Sequence, residues 1–178
     1  MKVLLSIFSI LVALATTTLA EPIPIFSDEP ITLNCNDDPR GVDVGDINGD
    51  EIMDIVVVNT AIDAYTILLG NNAGSYEYGG MFDPFDEEPR DVALADLQGL
   101  GRMDMVIPCT GDIDWGYTQI FHNTGWGYSI HQSLYGGRGP WHCVVDEFDG
   151  SPGLDVVLTY PRCGANLSVE RNSRNPSQ

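Results

Sequence analysis

Two short segments of this chain carry oxygen-bearing side chains at spacings that could hold a metal ion. The first reads D-I-N-G-D-E-I-M-D from residue 46 to residue 54, with oxygen side chains at its positions 1, 3, 5 and 9. A glycine at position 4 permits a sharp turn, and the backbone carbonyl at position 7 could add another oxygen. Calcium takes about six to eight oxygen ligands in a flexible geometry. The segment therefore predicts a calcium site made by Asp46, Asn48, Asp50, Ile52 and Asp54.

The second segment reads E-F-D-G-S-P-G-L-D from residue 147 to residue 155, in the same pattern. Its oxygen density is good, although serine is a weaker ligand for calcium than a carboxylate. The predicted ligands of this second site are Glu147, Asp149, Ser151, Gly153 and Asp155.

A third copy of the pattern, from residue 96 to residue 104, has lost its central ligand. It keeps Asp96, Gln98 and Asp104, but position 5 is Leu100 and position 7 is Arg102. We expect weak calcium binding or none at this segment. An ion pair between Arg102 and a carboxylate of the segment is expected instead.

All three segments could also be only acidic turns, because Asp, Asn and Gly favour turns for their own reasons. The first segment resembles the start of an EF-hand loop, but Val57 stands where that loop needs a glutamate. We therefore expect each segment to join two strands. They are called loop 1 (46–54), loop 2 (96–104) and loop 3 (147–155).

The loops belong to an internal repeat. Three stretches, which start at Pro39, Pro89 and Pro140, align without a gap at intervals of 50 and 51 residues. In the first, a run predicted to be a short buried strand (42–47) precedes the loop, and a β-branched run (55–58) follows it. The runs 105–107 and 156–158 follow the other two loops.

The second halves of the first two units also match, since 65–69 resembles 117–121. This gives about four strands in some fifty residues, the size of one propeller blade. The sequence thus predicts an all-β fold, a partial β-propeller of about three four-stranded blades with the third incomplete. Closed propellers have about 4–8 blades, so the chain is a fragment, a homo-oligomer subunit that completes a ring, or a short open array.

The predicted organisation has six parts. They are a signal peptide (1–20), an N-terminal segment with one edge strand at 31–35 (21–38), three repeats (39–88, 89–139 and 140–172) and a disordered tail (173–178). The apolar run in the signal peptide is too short to span a membrane. Secretion to the extracellular space follows from this reading.

The composition limits the partners. The net charge is −18 and Lys2 is the only lysine, so nucleic acid and anionic membranes are poor partners. An apolar fraction of 43% argues against disorder. An acidic folded surface suits divalent cations instead.

Four cysteines in a secreted chain suggest disulfides, and four allow three pairings. Cys109 and Cys163 lie at similar points of successive repeats, which favours a bond between them. Cys143, inside a predicted buried strand, is the candidate for a free core thiol. Asn166 begins an N-L-S sequon and is a possible N-glycosylation site.

The pattern P-x-x-V-x-V-x-D-x-N-G-D-x-x-x-D-I-V-V, followed by a strand and N-x-G-x-x-Y, resembles FG-GAP/VCBS repeats, the blades of integrin-α-like β-propellers. The resemblance covers residues 39–172. It implies calcium between the first two strands of a blade, held by the residues named for loops 1 and 3. It names no ligand, because such repeats occur in adhesion receptors, lectin-like proteins and appendages of extracellular enzymes.

The sequence therefore predicts a secreted calcium-binding module that contacts a protein or a glycan and has no catalytic role. Three tryptophans, Trp115, Trp126 and Trp141, could stack on sugars, although core or blade packing is the stronger explanation for them. A lectin-like propeller subunit and a non-catalytic fragment of an extracellular enzyme remain the alternatives. No nucleophile or hydrolase motif accompanies the histidines.

Overall fold

A computed structural model of the chain describes residues 30–112, 115–135, 139–161 and 166–172. The predicted signal peptide and the predicted tail lie outside these residues. All elements below belong to the part from Leu33 onward, which forms one unit by its internal contacts.

The described residues form eleven β-strands in three antiparallel sheets and contain no α-helix. Sheet 1 contains β1 (Pro39–Gly45), β2 (Asp54–Asn59), β3 (Ala64–Gly70) and β4 (Tyr76–Phe82), with a 3-10 turn at Thr60–Ile62 after β2. Sheet 2 contains β5 (Ala93–Ala95), β6 (Asp104–Asp112), β7 (Trp115–Asn123) and β8 (Tyr128–Tyr135). Sheet 3 contains β9 (His142–Asp146), β10 (Asp155–Tyr160) and β11 (Asn166–Glu170).

The all-β class predicted from the sequence is confirmed. In each sheet the strands pair in chain order, and none of the three sheets closes on itself. Each sheet falls within one of the three predicted repeats, with four, four and three described strands. The β-branched runs after the loops lie in β2, β6 and β10, as expected.

Sheet 2 lies between the other two sheets and packs against both. Along β6, Met105 and Ile107 belong to the core shared with sheet 1, whereas Val106 belongs to the core shared with sheet 3. Successive side chains of a strand point to opposite faces. All three residues are 0% exposed, so β6 is buried on both faces and its apolar run is continuous.

Two apolar cores result. The core between sheets 1 and 2 consists of Val56, Val58, Tyr65, Ile67, Val92, Met105, Ile107, Cys109 and Phe121. The core between sheets 2 and 3 consists of Leu97, Val106, Ile120, Cys143, Val156, Leu158 and Tyr160. The outer strands β4 and β8 are mostly exposed.

The prediction of a buried strand at 42–47 is wrong in two respects. Strand β1 ends at Gly45, and its apolar side chains Val42 and Val44 are 61% and 57% exposed. They lie on the face of sheet 1 that is turned away from sheet 2, where no other described sheet covers them. An apolar run indicates burial only where a neighbour exists to bury it.

The edge strand predicted at 31–35 is also absent, because residues 30 to 36 form no strand. Asn36 and Asp38 have positive φ values of 72° and 48°, which interrupt an extended backbone. The carbonyl of Cys35 instead accepts a hydrogen bond from the side-chain amide of Asn59, and Asn36 Nδ2 donates to Thr66 Oγ1 at 2.8 Å. Side chains, and not a strand ladder, hold this segment.

The match between 65–69 and 117–121 is out of register by one residue. In sheet 1, Tyr65 pairs with Val58. In sheet 2, the repeat equivalent of Val58 is Pro108, and it pairs with Thr118 rather than with Tyr117. The longer hairpin between β6 and β7 shifts the second half of repeat 2.

Candidate functional site

The three predicted loops occupy the same place in their sheets. Each joins the first strand of its sheet to the second, as the sequence predicts. The antiparallel pairs β1–β2, β5–β6 and β9–β10 end at these loops, so all three loops lie at corresponding edges of stacked sheets.

Loop 1 is held by hydrogen bonds from its own amides. Asp46 accepts from the backbone N–H groups of Gly49 (2.7 Å), Asp50 (3.2 Å) and Glu51 (2.8 Å). The amide of Asp50 also donates to Asn48 Oδ1 at 2.9 Å. These bonds close a tight turn around the carboxylate of Asp46.

The last residue of loop 1 is a buried carboxylate that ties the loop to its sheet. Asp54 is 0% exposed and accepts hydrogen bonds from the amides of Ile47 (3.1 Å) and Gly70 (2.9 Å). Burial raises the pKa of Asp54, these two hydrogen bonds oppose the rise, and the negative charges of Asp50 and Asp46 add to it.

Asp104 and Asp155 play the same anchoring role in loops 2 and 3, and both are 0% exposed. Their amide donors are Gln98 (3.1 Å) and Asn123 (2.8 Å) for Asp104, and Phe148 (3.3 Å) and Asn172 (2.9 Å) for Asp155. Position 9 is thus a structural aspartate in every repeat. The sequence predicted these residues as metal ligands and missed this second role.

The donor set of loop 1 fits a hard cation, since it offers three carboxylates, one amide oxygen and one backbone carbonyl within nine residues. Among the described residues, however, no three His, Cys, Asp or Glu side chains are gathered closely enough to hold a metal ion. The loop oxygens are arranged by amide donors, and Asp46 Oδ1 already accepts from two of them.

Loop 2 turns a donor toward its buried aspartate. Gln98 Nε2 donates to Asp104 Oδ1 at 2.9 Å, where a metal ligand would present an oxygen. The ion pair predicted for Arg102 is not formed with any described loop carboxylate, because the guanidinium lies beside Gly125, 3.3 Å from where a Cβ of that residue would be. The expected ion pair of Arg102 is therefore wrong, and the loss of calcium binding in loop 2 stays a prediction.

In loop 3 the side chain of Arg171 lies beside Asp149, so a metal ion would have to compete with it for that carboxylate. Arg171 Nε lies 3.5 Å from Asp149 Oδ2. Asp149 Oδ1 accepts from the amide of Ser151 (2.9 Å) and from its hydroxyl, and these bonds, with the charge of Arg171, lower the pKa of Asp149. Glu147 accepts from the amide of Gly150.

Two asparagines that the sequence did not single out link each loop to the preceding one. Asn123 Nδ2 donates to the carbonyl of Ile47 at 2.8 Å, and Asn172 Nδ2 lies 3.5 Å from the carbonyl of Leu97. Ile47 and Leu97 occupy the same position in loops 1 and 2. For Asn123 the sequence signal is the N-x-G turn that it begins, whereas Asn172 begins N-S-R and carries no such signal.

An open cleft of about 930 Å³ lies where sheets 1 and 2 meet, at the end away from the loops. Its acidic lining consists of Asp63, Asp83, Asp86 and Glu87, and its exposed aromatic lining consists of Phe82, Phe85 and Trp115, with Tyr117 beside them. Burial raises the pKa of Asp86, one carboxylate oxygen of which is buried without a hydrogen-bond partner.

The three tryptophans have different surroundings. Trp115 is 60% exposed at the cleft, and its ring centroid lies 5.7 Å from that of Tyr135. Trp126 is 98% exposed in the turn after β7. Trp141 lies under the guanidinium of Arg90, 4.7 Å from the ring centroid, which is a packing contact.

Cys109 and Cys143 are buried, at 0% and 7% exposure. The three described cysteines, Cys35, Cys109 and Cys143, form no disulfide with one another. Burial raises the pKa of the Cys109 and Cys143 thiols well above the usual value. Cys163 lies outside the described residues, so its bond to Cys109 stays a prediction.

Asn166 begins β11, where its backbone pairs with that of Tyr160, and its glycosylation stays a prediction. No helix among the described residues is long and apolar enough to cross a membrane.

Comparison of the chain with family models, with curated proteins and with solved structures finds no match.

Proposed function

We propose that this chain is a secreted, calcium-stiffened module of FG-GAP/VCBS type, in which the three stacked sheets are blades of a partial β-propeller. Its role is non-catalytic binding of an extracellular protein or glycan. The observation that carries the proposal is the placement of the three oxygen-rich loops, each of which joins the first two strands of its sheet at corresponding edges of the stack.

In this proposal Asp46, Asn48, Asp50, the carbonyl of Ile52 and Asp54 hold the ion. Calcium supplies positive charge and fixes the turn between β1 and β2, so its binding free energy adds to the free energy of unfolding. Binding requires the carboxylates to draw closer than they lie now. Loop 3 is a weaker site, because a cation there must displace Arg171 from Asp149.

Calorimetric unfolding with calcium and with chelator tests the proposal. Calcium is expected to raise the Tm of the unaltered chain and of Glu51→Gln, a matched control that removes a charge from the same loop at a non-ligand position. Asp50→Asn removes a ligand charge and is expected to lose most of the increase. Equal Tm values for the unaltered chain in calcium and in chelator would contradict the proposal.

Isothermal titration with calcium and then with magnesium separates a calcium site from general screening of a highly charged surface. A saturable calcium signal that Asp50→Asn weakens and Glu51→Gln retains supports a site in loop 1. Magnesium demands a tighter octahedral geometry and is expected to bind more weakly.

The cleft between sheets 1 and 2 favours a glycan as one candidate ligand. Exposed aromatic rings stack on sugar faces, and neighbouring carboxylates accept hydrogen bonds from sugar hydroxyls. Trp115 and Asp83 provide both groups within one cleft. A glycan array probed with the unaltered chain and with Trp115→Ala tests this, and Trp126→Ala is the control for an exposed tryptophan outside the cleft. No glycan signal, or equal loss in both variants, would remove the glycan hypothesis.

A further inference from the structure

Both ends of the stack of three sheets expose apolar side chains. At the sheet 1 end, Val42 and Val44 are 61% and 57% exposed. At the sheet 3 end, Val144, Leu167 and Val169 are 58%, 61% and 44% exposed. Hydrophobic residues concentrated on the face of a sheet, rather than scattered, mark an interaction surface.

Alignment of the three repeats shows which buried sheet face corresponds to each exposed sheet face. Val42 aligns with Val92 of repeat 2 and with Cys143 of repeat 3. Val92 is 4% exposed in the core against sheet 1, and Cys143 is 7% exposed in the core against sheet 2. This is therefore the receiving face, which accepts the preceding sheet. In sheet 1 no described sheet fills it.

The opposite face of each sheet packs on the following sheet. Val56 of sheet 1 packs on sheet 2, and its repeat equivalent, Val106 of sheet 2, packs on sheet 3. The equivalent residue of sheet 3 is Val157, which pairs in the sheet with Val144 and Val169. In sheet 3 this face has no described sheet to pack on.

We propose that the exposed face of sheet 3 in one copy packs on the receiving face of sheet 1 in a second copy. The pairing repeats the one already made twice inside the chain. The described residues of two copies supply six sheets, within the range of about 4–8 blades that closed propellers use, whereas those of three copies supply nine. The association is thus a two-copy ring with two identical contacts. It rests on the propeller arrangement proposed above and on the stacking of the sheets, and not on calcium or on any ligand of the cleft.

The contact between copies lacks polar bonds that the internal contacts have. Thr60 Oγ1 donates to the carbonyl of Pro89 at 2.5 Å, and its equivalent Thr110 donates to the carbonyl of Pro140 at 3.4 Å. The equivalent residue in repeat 3 is Pro161, which has no hydroxyl. Likewise, Gly70 in sheet 1 occupies the position that Asn123 occupies in sheet 2. Glycine has no side chain that could reach the preceding loop. The contact between copies depends on apolar burial and is therefore weaker and concentration-dependent.

Sedimentation velocity of the full chain over a concentration series, in calcium and in chelator, tests the proposal with two variants. Val44→Asp alters the receiving face and Val144→Asp alters the opposite face. Each places a charge in both contacts of the ring, and each is expected to weaken dimerisation at least about tenfold, since burying one valine is worth about that factor. Ile130→Asp, at a 43% exposed position on β8, is the matched control and keeps dimerisation.

Mixing the two variants gives the sharper result. A mixed dimer contains one unaltered contact, because Val144 of one variant meets Val44 of the other. The mixture is expected to dimerise more strongly than either variant alone. If Val144→Asp dimerises normally while Val44→Asp does not, the contact joins two sheet 1 faces, and the proposal is overturned.

A monomer at every concentration would also overturn it. Far-ultraviolet circular dichroism and Tm must match the unaltered chain for each variant. Should one variant fail this check, Val42→Asp or Val169→Asp replaces it on the same face, so that the comparison still decides between the outcomes. Loss of calcium binding with dimerisation retained would contradict only the function proposed above.

Discussion

Asn123, at the end of β7, donates from Nδ2 to the backbone carbonyl of Ile47 in loop 1, 2.8 Å away and 76 residues earlier in the chain. Its own amide donates to the buried carboxylate of Asp104 at 2.8 Å. One residue therefore joins the loop edges of two neighbouring sheets, and the candidate metal loops are part of the contact between sheets.

Asn123→Ala is expected to lower the free energy of unfolding by about 1–3 kcal/mol, because it leaves the carbonyl of Ile47 without a donor in a partly buried place. Urea titration followed by circular dichroism measures the change. Gln132→Ala, at an exposed position of β8, is the control and should stay within about 0.5 kcal/mol of the unaltered chain. Equal effects in both variants would show that the link between the loops adds little.

Gly41→Ala is expected to destabilise the chain by about 1–3 kcal/mol, because a Cβ at this position would lie 2.4 Å from the Cα of Asp91. Backbone cannot move aside as a flexible side chain can, so sheets 1 and 2 would be forced apart. Gly45→Ala in the same strand meets only side-chain atoms, of Leu94 at 3.3 Å and of Met103 at 3.4 Å, and should cost less. Thermal unfolding of the two variants side by side checks the order, and a reversed order would contradict the close approach.

Two threonines are expected to respond oppositely to replacement by valine. Thr118 Oγ1 is buried without a hydrogen-bond partner, so Thr118→Val should raise the free energy of unfolding by up to about 1 kcal/mol. Thr66 Oγ1 donates to Asn59 Oδ1 and accepts from Asn36, both at 2.8 Å, so Thr66→Val should lower it by about 1–2 kcal/mol. Each variant controls for the shape change in the other. Chemical denaturation that shows changes of the same sign would contradict this reading.

The stability of the chain is expected to depend on pH through Asp86. Burial raises the pKa of Asp86 above its value of 3.8 in an unfolded chain, so the folded state binds the proton more tightly. The free energy of unfolding therefore falls as the pH rises from 3.8 through the raised pKa, and the contribution is fully present only below 3.8.

Asp86→Asn should flatten this part of the pH profile, and Asp83→Asn, which removes an exposed charge from the same cleft, should leave its shape closer to that of the unaltered chain. Urea denaturation at intervals from pH 4 to pH 8 measures the slopes. A profile that Asp86→Asn leaves unchanged would show that the buried carboxylate does not control it.

The repeat period and the alternation of apolar runs with D-x-x-G turns were sufficient to predict the all-β class, three successive units and the place of each loop between two strands. These features are local, since strand and turn preferences act over a few residues. The same local pattern pointed to Asp54, Asp104 and Asp155 as important. It could not show that each is buried and held by amides from two directions, because those donors are far apart in the sequence.

The tertiary structure alone decided which apolar strands are covered. Val42 and Val92 stand at the same position of the repeat and look alike in sequence, yet one is 61% exposed and the other 4%. The difference arises because sheet 1 precedes Val92 in the stack while no described sheet precedes Val42. Sequence determines the face that a side chain lies on, but the burial of that face, and the free energy it contributes, depend on the neighbour that the rest of the chain, or a second copy, supplies.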